Sequence, residues 1–139
     1  MKLTKMKFNY TYNDGGRSDA GLKGNTDCGI RAMAIACDIT YTEARTRLKE
    51  AASVGKQGNK AISRGIYKED LSSALELLGW HWKSAPNIFG RKARCSDFTD
   101  EGTIIARQAR HFVAVVDGVP NDTFDSSDKM VYGYWKKVN

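Results

Sequence analysis

The chain has 139 residues, 41% of them hydrophobic, and a formal net charge of +6 at pH 7. That length suits one domain, residues 1–139, with a core of its own. No run of roughly 18 apolar residues occurs, so no membrane span is expected, and "MKLTKMKFNYTY" lacks the apolar stretch of a secretory signal.

The first predicted element is an early strand in "MKFNYTY". Phe8, Tyr10 and Tyr12 alternate with Lys7, Asn9 and Thr11. A glycine-rich irregular loop follows, "NDGGRSDAGLKGNTD". A helix is predicted from Cys28 to Asp38, with Ile30, Met33, Ala34 and Cys37 as its buried stripe. Thr26 or Asp27 is placed to cap it. A second helix starts at "TYTE", where Thr40 and Glu43 form a capping box. Ala44, Leu48 and Ala51 or Ala52 give its apolar face. After the polar loop "SVGKQGNKAISRG", a third helix spans about Tyr67 to Leu78 and stops at Gly79.

The remainder is β-rich. "WHWKS" reads as a short strand and "APNIFGRKARCSDFTDEG" as a second long loop. "TIIAR", "HFVAVV", "NDTFD" and "MVYGYW" read as further strands. N-terminal helices packed on a C-terminal antiparallel sheet make an α+β layout.

Three cysteines without a CxxC pair argue against a disulfide framework and a zinc ribbon. They point instead to a reduced, cytoplasmic protein. The cysteines and histidines at 28, 37, 81, 95 and 111 follow no metal-ligand spacing, so neither a metal nor another cofactor is expected.

Cys28 stands apart because a polar, glycine-containing turn precedes it and a helix follows. A free thiol has a pKa of about 8.5, and a helix N-terminus with a nearby histidine lowers it. Cys37 lies on the apolar stripe, and His81 sits between Trp80 and Trp82; both read as structural. "DG" at 117–118 separates two strand-like runs, which is a hairpin signal. A two-residue turn there pairs Val116 with Val119 and Val113 with Asp122. His111, Val113 and Asp122 then share one face of the sheet. Asp122 is therefore the expected carboxylate partner of His111. Asp125, of opposite parity, is the alternative acid. Cys28 as nucleophile, His111 as proton carrier and Asp122 as orienting acid make a thiol-hydrolase constellation.

Cysteine on an early helix, histidine on a later strand and an acid on the next strand resemble the layout of papain-like cysteine peptidases. The small size and "DCG" before an apolar helix are most similar to the peptidases that trim double-glycine leaders. The segments "FNYTYNDGGR", "AGLKGNTDCGIRAMAIA", "LELLGWHW", "RHFVAVVDGVPNDTFDSS" and "VYGYW" resemble a family of small uncharacterised phage and bacterial proteins of peptidase-like character. The resemblance implies a papain-like fold, a Cys28–His111–Asp122 triad and a peptide or protein substrate. For a phage-encoded member it also implies the host cytoplasm.

Papain-like enzymes carry an oxyanion-hole glutamine several residues before the cysteine, where this chain has Leu22 and no glutamine nearby. Asn25, the nearest amide, is the candidate oxyanion donor, with the Cys28 backbone N–H. Hydrolysis and acyl transfer to an amine both fit the constellation. Two other readings stand beside it. One is an inactive structural relative. The other is a basic module binding nucleic acid or a host protein, suggested by the net charge and by "RKAR"; nucleic acid is the less favoured partner.

Overall fold

The computed structural model describes residues 9–22, 26–59, 61–62, 65–88 and 90–138. Among these, three α-helices and a mixed sheet form an α+β structure. Of the expected early strand, β1 (Thr11–Tyr12) is seen, while Met6 to Phe8 lie outside the described residues. The helices are α1 (Cys28–Cys37), α2 (Tyr41–Ser53) and α3 (Lys68–Glu76). The strands that follow are β2 (Trp80–Ser84), β3 (Asn87–Ile88), β4 (Arg91–Lys92), β5 (Thr103–Gln108), β6 (His111–Val116), β7 (Val119–Asp122) and β8 (Gly133–Lys137).

The helices form where apolar spacing gives each a face to bury. Ala44, Leu48 and Ala52 are the buried stripe of α2, and Leu71, Ala74 and Leu75 that of α3. Thr40 Oγ1 accepts the Glu43 N–H at 3.0 Å, the cap expected of "TYTE". Asp70 of α3 accepts the backbone N–H groups of Lys56 and Gln57 at 2.8 and 2.7 Å, which fastens the intervening loop to the helix.

The main sheet has the order β1-β7-β6-β5-β8-β2. Its neighbours are antiparallel except β1, which runs parallel to β7 with Thr11 opposite Asn121. The expected purely antiparallel sheet is therefore corrected to a mixed one. Local patterning marks β1 as a strand but carries no sign of its direction relative to β7, which is set by the path of the long loop between β1 and α1. The expected strand "NDTFD" is also displaced: β7 ends at Asp122 and the chain bends at Thr123 and Phe124. The second long loop contains the small β3–β4 ladder and a 3-10 helix, Cys95–Phe98.

Alternation in the sheet builds two cores. Ile105, Phe112 and Trp135 face the helices and pack with Met33, Leu48, Leu71 and Leu75. Ile104, Val113, Val115 and Tyr134 face the other way, against Ala93, Cys95 and Phe98. Trp135 is fully buried, and its indole N–H donates to Ser72 Oγ at 2.9 Å. The Trp82 ring packs edge-on to Trp135, with centroids 4.8 Å apart. It also lies directly over Gly133, where an added Cβ would sit 2.1 Å from the ring. Gly133→Ala must displace Trp82 and is expected to lower stability by about 1–3 kcal/mol. Urea unfolding checks this, the expected result being a lower midpoint at unchanged slope.

Candidate functional site

The site forms where the start of α1 meets the start of β6. "DG" makes the turn its sequence calls for: Asp117 and Gly118 have φ of 50° and 85°, as a two-residue hairpin of this twist requires. Val116 pairs with Val119 and Ala114 with Asn121, the register expected. His111 and Asp122 therefore meet on one face. His111 Nε2 lies 2.5 Å from Asp122 Oδ2, and both residues are buried. The bond to Asp122 leaves Nδ1 as the ring nitrogen available to Cys28, which lines the same groove and lies close enough to His111 for each to shift the other's ionisation. The three side chains lie in the order Cys28, His111, Asp122.

Asp125 lies past the end of β7, beyond the bend at Thr123 and Phe124, and does not take this position. Asp125 is exposed, and its Oδ1 accepts the Ser127 N–H at 2.9 Å. Asn25 lies outside the described residues. His81 is exposed on β2, apart from the groove described below.

Electrostatics separates the three thiols. Burial opposes ionisation of Cys28, but the adjoining His111, the Phe112 N–H and the Arg31 charge outweigh it and hold the thiol below its ordinary value. Burial likewise opposes charge on His111, yet Asp122 and Cys28 raise it above the ordinary imidazole range. Asp122 is desolvated as well. Its contacts with His111, the Thr123 N–H and Ser126 Oγ keep it below the usual carboxylate range. At Cys37 burial outweighs the Lys137 and Arg47 charges and pushes the thiol up to about 11. Burial and the nearby Asp122 charge push Cys95 up to about 12.

A buried ionic network backs this chain, and the sequence reading missed it. Asp27 sits at the N-cap of α1, but its side chain makes no cap bond. Its carboxylate instead forms a short hydrogen-bonded ion pair with Arg31, accepts Arg17 Nη1 at 2.9 Å and accepts the Tyr41 hydroxyl at 2.5 Å. Arg31 also reaches Asp122 Oδ1 at 3.3 Å. Arg31 thus bridges the helix start to the acid that holds His111. The i,i+4 spacing of Asp27 and Arg31 was the available signal. The loop before α1 lies close enough to join the network: a Cβ on Gly15 would come 3.0 Å from the Arg31 Cα.

The chain of three opens into a groove of about 580 Å³. Cys28, His111, Ile66, Phe112 and Phe124 line it, with the Phe124 ring centroid 5.0 Å from that of His111. Gly29, next to Cys28, is closely packed: a Cβ there would lie 2.7 Å from the Ile66 methyl on the groove wall. Gln108 pairs with His111 across the β5–β6 turn, and its Nε2 donates to the Ser126 carbonyl at 2.9 Å. This ties the loop after β7 to the sheet end.

Among the described residues, no helix is long and apolar enough to cross a membrane. No family model matches the chain, and no curated protein and no solved structure matches it either.

Proposed function

We propose that the protein is a thiol-dependent amide hydrolase with a papain-like arrangement, acting on a peptide, protein or isopeptide bond. The observation that carries this reading is the buried His111–Asp122 hydrogen bond with Cys28 beside His111 at the edge of an open groove. The separation of Cys28 from the other thiols supports it: the partnered thiol is lowered, while Cys37 and Cys95 are raised. The papain-like arrangement is supported by a cysteine opening the first helix, a histidine opening a sheet strand, and helices on one face of that sheet.

The proposed steps draw on these side chains in turn. Cys28 passes its proton to His111 Nδ1, and Asp122 on Nε2 steadies the imidazolium. The thiolate attacks the carbonyl carbon. As the C–N bond breaks, His111 gives its proton to the leaving amine, and a thioester to Cys28 remains. Water then attacks the thioester while His111 takes its proton. The C–S bond breaks, the carboxylic acid leaves, and the thiol is restored. The Cys28 backbone N–H, the first of α1, is the proposed oxyanion donor, together with Asn25.

Mass-spectrometric detection of new amino termini in peptide libraries tests the reading. The wild type is expected to produce them and to carry an acyl group on Cys28 after acid quench. Cys28→Ala is expected to do neither. Asp122→Asn is expected to lose between roughly 10² and 10⁴ in turnover, and Asp125→Asn to match the wild type. Cleavage that survives Cys28→Ala, or libraries that yield neither new termini nor an acyl adduct, would overturn the assignment.

A further inference from the structure

Building on the hydrolase reading, we infer that the groove beside Cys28 receives an acidic peptide segment, with Asp or Glu side chains near the bond to be cut. Besides Arg31, which is already paired with Asp27 and Asp122, the groove gathers four basic side chains from three places. Lys68 comes from the start of α3, Arg107 and Arg110 flank the β5–β6 turn, and Lys129 comes from the loop after β7. Among the described residues, no carboxylate lines the groove. Among the described residues, none of these four takes part in an ion pair. Charges of one sign around a cleft repel one another and focus a positive potential into it, which an anionic ligand relieves.

Arg110 carries a second sign. Its φ is 54°, in the left-handed region where a glycine would rest without strain. A turn one residue from His111 thus holds a long cation where the backbone favours no side chain, a form of strain found at binding sites. An arginine fork matches a carboxylate in two parallel hydrogen bonds. Lys68 is already positioned, its Nζ 4.0 Å from the Trp82 ring centroid. Apolar Ile66 and Phe112 share the wall, so the groove suits side chains of mixed character close to Cys28. Its volume fits a few residues of peptide, and the acyl chemistry of Cys28 calls for an amide, which a nucleic-acid strand does not present in its backbone.

The test uses the Cys28→Ala protein, which binds without cutting, and fluorescence anisotropy of three labelled probes. These are an Asp/Glu-rich peptide, its Asn/Gln twin and a single-stranded oligonucleotide. The acidic peptide is expected to bind about tenfold or more tightly than its twin, and to lose most of that margin when Arg107→Gln and Arg110→Gln are added or at 1 M salt. Equal binding of the two peptides overturns the inference. So does an oligonucleotide that binds more tightly than the acidic peptide and displaces it. Wild-type protein separates this inference from the one beneath it. Acidic peptide bound preferentially but left intact supports the ligand class and defeats the hydrolase. Neutral peptides cut as fast as acidic ones support the hydrolase and defeat the ligand class.

Discussion

Arg31→Met is expected to destabilise the protein by about 3–5 kcal/mol, a large share of the 5–15 typical of a domain. The Arg31 side chain is 3% exposed and stands between two carboxylates, Asp27 and Asp122, that are 3% and 2% exposed. Methionine fills similar space but removes the cation the two buried acids share, leaving Asp27 with Arg17 and Asp122 with His111. The cost comes from that under-compensated buried charge, more than from loss of an attractive pair. Arg31→Lys keeps the charge but cannot span both partners with one planar fork, so its loss is expected to be smaller. Denaturant unfolding at neutral pH measures both. A change in Arg31→Met of less than about 0.5 kcal/mol, the range of an ordinary surface substitution, would show that the network is not structural. Arg31 makes no hydrogen bond to the thiol; it is a positioning residue, acting through Asp122 on His111 and by its charge on Cys28. A structural role alone predicts folded Arg31→Lys protein with an unaltered Cys28 titration. The positioning role predicts a profile displaced toward higher pH.

Alkylation of Cys28 by iodoacetamide at pH 7 is expected to exceed that of Cys37 at least about tenfold. The thiolate is the reacting form, and its fraction grows as pH rises through the thiol pKa. Cys28 lies below its ordinary value and Cys37 at about 11. Cys28 therefore holds the larger thiolate fraction at neutral pH, and the weaker nucleophilicity of a lower-pKa thiol offsets only part of that margin. Lowering the pKa moves the reactive range toward acid, so Cys28 labelling should begin at lower pH than that of Cys37 or Cys95. The thiolate–imidazolium pair lasts until pH rises through the raised His111 value. His111→Ala removes the strongest lowering influence and leaves burial to raise the thiol, so the early labelling should disappear. Mass spectrometry read per cysteine provides the check, with Cys37 and Cys95 as controls within the same molecule. A Cys28 profile superimposed on that of Cys37 would remove the main support for a nucleophile.

What the sequence determined by itself was local. Helix faces follow from spacing, and Leu48, Leu71 and Leu75 are buried as their periodicity requires. The "DG" turn is a two-residue problem with few solutions, and its parity carries His111 and Asp122 to one face. That is why two of the three residues in the chain could be paired from eleven positions apart, and why Asp125 could be ranked second. Cys28 was legible as a helix opener, though not as a neighbour of His111, because nothing local relates α1 to β6.

Only the tertiary structure decided the rest. The parallel seat of β1 beside β7 depends on the path of a long loop, not on alternation. Asp27 looked like a helix cap, but burial against Tyr41, Arg17 and Arg31 offered its carboxylate stronger, charge-assisted partners than a backbone N–H. Arg31 to Asp122 joins residues far apart in the chain, and no spacing rule reaches that distance. The basic groove has the same origin: Lys68, Arg107, Arg110 and Lys129 look scattered along the chain and become one charged wall only when α3, the β5–β6 turn and the loop after β7 converge. Periodicity reports which side of an element is buried; which elements then share an edge is settled by packing of the whole core, where distant residues meet.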